Sequence, residues 1–81
     1  MNQLNDKGQR HGQWEDYWSN GNLWSKGNYN NGERYGYWES YYQNGQLHWK
    51  GYFVNDKPHG YWEWHPITIN EHNQIEKEFY L

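Results

Sequence analysis

A repeat of 24 residues constrains the fold of this chain more than any other feature of its sequence. Two sets of residues recur at this interval, glycines and, two positions after each glycine, tryptophans: Gly12, Gly36 and Gly60, then Trp14, Trp38 and Trp62. A fixed period of this length is typical of a small supersecondary unit that stacks on copies of itself. We interpret the Gly-x-Trp pair as the packing joint between repeats, because a large indole fits where the neighbouring strand lacks a side chain. The residues assigned to these joints are Gly12, Trp14, Gly27, Gly36, Trp38, Gly51, Gly60 and Trp62.

The repeating unit is predicted to be a β-hairpin. Asn20-Gly21 and Asn44-Gly45 lie between aromatic runs, and Asn-Gly favours a two-residue turn in which both residues have positive φ. A second series of turns, Lys7-Gly8, Asn31-Gly32 and Asn55-Asp56, alternates with the first. We therefore predict an all-β fold, an antiparallel meander of stacked hairpin repeats in a single sheet, with strands of roughly seven to nine residues.

The chain is short enough for one domain only. We place repeat 1 at about 8–31, repeat 2 at about 32–55, a partial third repeat at about 56–65 and an atypical cap at 66–81. Pro66 ends the pattern, because proline cannot donate a hydrogen bond to a sheet. The last stretch, QIEKEFYL at 74–81, is predicted to be a closing strand.

Two-residue turns predict the register of the sheet. The expected partners within hairpins are Gly12–Tyr29, Trp14–Gly27, Glu15–Lys26 and Trp18–Leu23, then Gly36–Phe53, Trp38–Gly51, Glu39–Lys50 and Tyr42–Leu47. Between hairpins the same count pairs Gly27 with Gly36, Gly51 with Gly60 and Trp49 with Trp62. One register satisfies both series of turns, which supports the meander.

This register divides the side chains between two faces. The apolar face is predicted to carry Trp14, Trp18, Leu23, Tyr29, Trp38, Tyr42, Leu47, Trp49, Phe53, Trp62 and Trp64. The other face mixes aromatic and charged residues: Glu15, Tyr17, Trp24, Lys26, Tyr37, Glu39, Tyr41, His48, Lys50, Tyr52, Tyr61, Glu63 and His65. On it, Tyr17 is expected opposite Trp24, Tyr41 opposite His48 and Tyr37 opposite Tyr52.

The composition excludes several classes of protein. Seven Trp and nine Tyr argue against disorder, and the absence of Cys rules out disulfide chemistry. The net charge of −3, with acids and bases interleaved, is unlike a nucleic-acid-binding surface. No apolar run is long enough for a signal peptide or a membrane span, so we expect a cytoplasmic protein without membrane insertion.

No pattern in the sequence predicts an enzyme, a cofactor or a metal site, and we assign no catalytic residue. His59, His65 and His72 lack the spacing of a metal motif and any Cys partner. The repeated Glu15, Glu39 and Glu63 are not interpreted as a catalytic pair, because the register gives Glu15 and Glu39 a Lys partner on the neighbouring strand. Cross-strand ion pairs are the simpler account of these charges.

The phrase Gly-x-Trp-x-x-Tyr-(Tyr/Trp)-x-Asn-Gly-x-Leu-x-x-x-Gly-x-(Tyr/Phe) resembles the variant MORN (membrane occupation and recognition nexus) repeat, and the match covers residues 8–64. Bacterial proteins with such repeats are often antitoxin-like. The resemblance implies a chain of antiparallel hairpins that serves as a binding scaffold, and it implies no catalytic residue.

These observations favour a non-enzymatic module that binds a protein target, such as an antitoxin-like or phage-encoded (anti-defence) inhibitor that acts by occupying a surface. The expected partner-binding residues are Tyr17, Trp24, Tyr37, Tyr41, His48 and Tyr52. The alternative is a carbohydrate- or cell-wall-binding repeat protein, because aromatic rings also stack on sugars. A homodimer is expected as well, because a single meander cannot cover its own apolar face.

Overall fold

The strands of the protein follow one another across the sheet in the order of the chain. The computed structural model describes residues 2–66 and 75–80. The strands are β1 (Gln3–Leu4), β2 (Arg10–Tyr17), β3 (Leu23–Asn30), β4 (Glu33–Tyr41), β5 (Leu47–Val54), β6 (Lys57–Trp64) and β7 (Glu76–Tyr80). Neighbours pair antiparallel in one sheet of order β1 to β7. The predicted all-β meander is confirmed, and the extents of 49 × 35 × 12 Å are those of a single layer.

The predicted closing strand at 74–81 contains β7, and Ile75 lies just before this strand. Strand β7 pairs with β6 from Gly60–Tyr80 to Trp64–Glu76. The predicted long connection before it, with His72, lies largely outside the described residues. At the other end, the short strand β1 was not predicted, and it covers the start of β2.

Two kinds of turn join the strands. The predicted two-residue turn at Lys7-Gly8 is wrong, because the N–H of Asn5 donates to the carbonyl of Gln9 and the N–H of Gly8 donates to that of Asn5, which makes a three-residue loop. Asn31-Gly32 and Asn55-Asp56 are two-residue turns as predicted, with positive φ at both positions, from 50° to 88°. The same prediction is wrong for Asn20-Gly21 and Asn44-Gly45, where only the glycine has positive φ, 91° and 92°. These are three-residue loops: the N–H of Gly21 donates to the carbonyl of Trp18, and the N–H of Trp18 donates to the carbonyl of Asn22.

The asparagine side chain explains the longer loop. Asn20 Oδ1 accepts the N–H of Asn22 at 2.9 Å, and Asn44 Oδ1 accepts the N–H of Gln46 at 2.9 Å. A side chain that bonds the backbone two residues on stabilises the first part of the loop. Glycine then supplies the left-handed residue that closes it.

The longer loop changes the register next to it. Leu23 pairs with Tyr17 instead of the predicted Trp18, whereas Ser25 pairs with Asp16. Trp24 is therefore an extra residue, a β-bulge, that restores the predicted register further along the strand. The second hairpin repeats this arrangement: Leu47 pairs with Tyr41 instead of Tyr42, and His48 is the extra residue.

The bulges exchange residues between the two faces. Directly paired residues point to the same side of a sheet, so Leu23 and Leu47 share the face of Tyr17 and Tyr41. The bulge turns Trp24 and His48 to the opposite face. The predicted positions of these four residues, the two leucines on the apolar face and Trp24 and His48 on the mixed face, are wrong for this reason.

The joint between repeats also differs from the prediction. Asn28 pairs with Tyr35 but Lys26 pairs with Glu39, a shift of two residues that removes the expected Gly27–Gly36 partnership. The same shift in the next repeat pairs Trp49 with Trp64 instead of Trp62 and separates Gly51 from Gly60. The shift is possible because Gly36, at φ 75°, adopts the left-handed backbone that such a bulge requires.

The indole of each joint lies flat on the preceding repeat. A Cβ added to Gly27 would overlap the ring of Trp38, and one added to Gly51 would overlap the ring of Trp62. Trp38 Nε1 donates to the carbonyl of Asn28 and Trp62 Nε1 to that of Tyr52, both at 3.0 Å. These contacts let a single-layer sheet bury large rings without a second layer of structure.

The core is a continuous chain of rings. Trp38, Phe53 and Trp62 are 2–4% exposed, and four further rings pack against them: Tyr29, Trp49, Trp64 and Tyr80. Most contacts between these core rings are edge-to-face, such as that of Phe53 with Trp62, whose centroids are 5.1 Å apart.

Candidate functional site

The sheet places every tryptophan on one side and most tyrosines on the other. All seven tryptophans lie on one side, the tryptophan face, with Tyr29, Tyr42, His48, Phe53 and Tyr80. The opposite side, the tyrosine face, is defined by Tyr17, Tyr35, Tyr37, Tyr41, Tyr52 and Tyr61.

A ladder of alternating charge crosses the tyrosine face. Successive strands place these residues opposite one another: Glu15, Lys26, Glu39, Lys50, Glu63 and Lys77. The predicted partnerships of Glu15 with Lys26 and of Glu39 with Lys50 are confirmed as register pairs. The ion pairs, however, run to the following strand, from Lys26 to Glu39 at 3.5 Å and from Lys50 to Glu63 at 3.6 Å.

The tyrosine hydroxyls donate to this ladder. Tyr37 and Tyr41 both donate to Glu39, at 2.8 Å each. In the neighbouring repeats Tyr17 donates to Glu15 at 2.7 Å and Tyr61 to Glu63 at 2.6 Å. The phenol groups are thus tied down, while the rings themselves remain open to solvent.

These contacts shift the pKa of both partners. The hydrogen bond from Tyr61, followed by that of His65 and the charge of Lys50, lowers the pKa of Glu63 to about 2. Burial raises the pKa of Glu39, but the hydrogen bonds from Tyr41 and Tyr37 outweigh it and hold the value below the ordinary range. Burial and the bond to Glu39 raise the pKa of Tyr41 to about 12. The face therefore carries ionised carboxylates and neutral phenols at neutral pH.

The predicted partner-binding residues do not form one surface. Tyr17, Tyr37, Tyr41 and Tyr52 lie on the tyrosine face, whereas Trp24 and His48 lie on the tryptophan face. The predicted contact of Tyr37 with Tyr52 is confirmed, with centroids 5.4 Å apart. The other two predicted pairs are wrong: Trp24 contacts Trp18, and His48 contacts Tyr42.

Three exposed aromatic residues were absent from the predicted site: Tyr35, Tyr61 and Phe79. Each is 43–68% exposed on the tyrosine face. Tyr61 and Tyr35 follow the same alternation as Tyr37 along their strands, so the sequence contained the signal for them. Phe79 lies opposite Tyr61 across the β6–β7 ladder, and only the register of the closing strand shows its place.

A groove of about 510 Å³ lies on the tryptophan face. Two pairs of rings belong to equivalent positions of the repeat, Trp18 with Trp24 at 5.0 Å and Tyr42 with His48 at 4.2 Å. The remaining lining residues are Arg10, Asp16, Ser25, Tyr29, Arg34, Trp38, Ser40 and Trp49.

The residues with catalytic or metal-binding side chains are spread out. Among residues 2–66 and 75–80, no group of three or more His, Cys, Asp or Glu side chains could hold a metal ion. His65 Nε2 lies 3.0 Å from Glu63 Oε1, His59 pairs with Tyr52, and His72 lies outside the described residues. In that part of the chain no hydrogen bond joins His48 to the nearby Ser25 or Ser40.

No protein-family model, no curated protein and no solved structure matches this chain. The described residues contain no helix that could cross a membrane. The resemblance to MORN repeats remains a hypothesis that rests on the repeat in the sequence.

Proposed function

We propose that this protein is a non-enzymatic module that binds another protein through its tyrosine face. The observation that carries the proposal is a set of large side chains left in solvent on that face. Tyr17, Tyr35, Tyr37, Tyr52, Tyr61 and Phe79 are each 40–68% exposed. Aromatic residues are enriched at the centre of protein interfaces, and a contiguous exposed apolar surface marks an interaction site.

A cleft within this face supplies the place for an anchoring side chain. The cleft has a volume of about 460 Å³, and the residues of the tyrosine face that line it are Tyr35, Tyr52, Val54 and His59. Binding energy at interfaces is concentrated in a few desolvated pockets of this kind, surrounded by contacts that exclude water. The alternating charges of the ladder then form a polar rim beside the cleft.

The chemistry of the face favours a protein over a sugar or a nucleic acid. The hydroxyls of Tyr37 and Tyr61 already donate to glutamates, so these two groups are not available to sugar hydroxyls. Lysines alternate with glutamates along the ladder instead of forming the basic patch that a nucleic acid requires. An apolar ring surface with balanced charge around it complements the surface of another protein.

The action that we propose is inhibition by occupation. The single-layer sheet leaves a large surface on each face for a partner, and the 24-residue repeat resembles repeats of antitoxin-like proteins. A target enzyme covered by the tyrosine face would lose access to its substrate. A bacterial toxin and, for a phage-encoded protein, a defence enzyme are the targets that fit this mode of action.

A photo-crosslinking residue introduced at Tyr52 should capture the target, whereas the same residue at Trp24, on the opposite face, should not. The captured protein, once purified, should bind Tyr35→Ser and Tyr52→Ser about 30-fold more weakly than the unaltered protein, the loss typical of a hot spot of about 2 kcal/mol.

Trp24→Ser is the matched control, since it removes a similarly exposed ring from the other face. Thermal unfolding of each variant separates lost binding from lost folding. The proposal would be contradicted if the Tyr35 and Tyr52 variants bound the target as tightly as the unaltered protein does. It would also be contradicted if the captured enzyme were as active in the complex as it is alone.

A further inference from the structure

One ring of each pair in the groove on the tryptophan face is held by a hydrogen bond to the backbone. Trp18 Nε1 donates to the carbonyl of Tyr41 at 3.0 Å, and the hydroxyl of Tyr42 donates to the carbonyl of His65 at 2.8 Å. Ser40 is 4% exposed and donates to the carbonyl of Trp24 at 3.2 Å. The rings of Trp18 and Tyr42 therefore lose little freedom when a ligand binds, which favours affinity.

Several polar groups of the groove have no partner within the described part of the chain. These are the indole N–H groups of Trp24 and Trp49, the hydroxyl of Ser25 and both ring nitrogens of His48. Burial lowers the pKa of His48, so its imidazole is neutral at neutral pH and offers one donor and one acceptor. A ligand for this groove needs both donors and acceptors between apolar surfaces.

The charges of the groove are compensated internally. Arg10 contacts Asp16 at 3.1 Å and lies over the ring of Trp14, 4.4 Å from its centre. Arg34 pairs with Asp56 and lies over the ring of Phe53, 4.2 Å from its centre. Because each cation has its anion, the groove is complementary to a neutral ligand and not to a phosphate, a nucleic acid or a charged peptide.

The two ring pairs are spaced by the repeat. Trp24 belongs to β3 and His48 to β5, two strand spacings apart, which is about 9.6 Å. This distance is close to the length of two linked pyranose rings in an extended glycan. A sugar ring presents an apolar C–H face to an aromatic ring and hydroxyls at its edge, which matches the alternation of rings and polar groups here.

We propose that this groove binds a neutral oligosaccharide, with sugar rings on the Trp18–Trp24 and Tyr42–His48 pairs and hydroxyls hydrogen-bonded to Asp16, Ser25 and His48. The site is separate from the tyrosine face, and it uses two residues, Trp24 and His48, that the protein-binding proposal does not. A glycan on one face and a protein on the other are compatible in a single-layer sheet.

Titration calorimetry with cellotetraose and with chitotetraose, alongside a wider array of neutral glycans, tests the proposal. Binding of at least one of them is expected, with Trp fluorescence shifting on addition. Trp24→Ala and His48→Ala should each weaken it about tenfold, the loss of one well-packed aromatic contact. Asp16→Asn, which keeps the shape of the side chain, should weaken it as well.

Tyr52→Ala is the control for the other face and should bind the oligosaccharide as the unaltered protein does, even if it loses its protein target. Failure of every neutral glycan on the array would overturn the proposal. So would glycan binding that Trp24→Ala leaves intact, a preference for acidic glycans, or binding of a proline-rich peptide in place of glycans.

Discussion

At the scale of single residues, the aromatic side chains divide into two kinds with different tasks. Trp38 and Trp62 lie flat on glycines and hold the repeats together. Tyr17, Tyr37 and Tyr61 donate to glutamates and leave their rings in water. Indole has the larger apolar area and a donor only, whereas a phenol keeps a strong polar tip. The two residue types are therefore suited to opposite faces of one sheet.

Gly51→Ala should destabilise the protein by about 1–3 kcal/mol, the usual cost of overpacking, because the added Cβ overlaps the ring of Trp62. Urea unfolding measures the variant against the unaltered protein. A Gly51→Ala protein as stable as the unaltered one would contradict the role of the close approach.

Glu63 should make the stability of the protein depend on pH. Its pKa is lowered from the ordinary value of 4.5 to about 2 in the folded protein. A lowered pKa means that its contribution is present above pH 4.5 and is lost as the pH falls towards 2. Glu63→Gln should flatten this part of the curve, whereas Glu33→Gln should leave it unchanged. An identical slope for both variants would argue against the Tyr61–Glu63 contact.

At the scale of secondary structure elements, one loop and one bulge together decide which face a side chain joins. The loop at Ser19–Gly21 has an extra residue, and the bulge at Trp24 returns the strand to register. As a result, Leu23 lies on the tyrosine face and Trp24 on the tryptophan face, the reverse of the predicted arrangement. A slip of one residue moves a side chain across a sheet, so this short segment builds the ring pair that lines the groove.

A double-mutant cycle tests this geometry. Trp18→Ala combined with Trp24→Ala should give a coupling of about 0.5–1.5 kcal/mol, as expected for rings in contact. Trp18→Ala combined with Leu23→Ala should give a coupling near zero, because a two-residue turn would place these residues opposite each other and the observed loop does not. The reverse result would mean that the chain forms the shorter turn.

At the scale of the whole molecule, the sheet has one layer and two working surfaces. The most buried rings, Trp38, Phe53 and Trp62, are covered by their own repeat neighbours. The rest of the tryptophan face remains partly open, which is unusual for a domain, since most have a second layer. We expect a partner, a ligand or a second copy of the chain to cover it.

We propose a homodimer, and light scattering after size-exclusion chromatography should give twice the chain mass of 10.1 kDa at micromolar concentration. Two arrangements are possible, face on face or edge to edge. Trp24→Glu should break the first and leave the second intact, and only the second leaves the groove free for a glycan. A mass of one chain at all concentrations would rule out the dimer.

The sequence by itself determined the meander, the two-residue turns at Asn31-Gly32 and Asn55-Asp56, and the register of Gly12 with Tyr29 and Gly36 with Phe53. These features follow from local propensities and from a repeat that imposes one solution on every hairpin. It also identified most of the tyrosine face, because strict alternation along β4 was enough to find it.

Only the tertiary structure decided where Trp24 and His48 point. Asn-Gly is compatible with turns of two or three residues, and the choice depends on what the flanking rings gain by packing. Trp24 contacts Trp18 and His48 contacts Tyr42 only after the bulge has formed, and Trp18 is held in turn by the next repeat, through the carbonyl of Tyr41. The local bonds of the Asn20 and Asn44 side chains and the contact of Trp18 with the next repeat thus favour the longer loop together, and that loop created the groove.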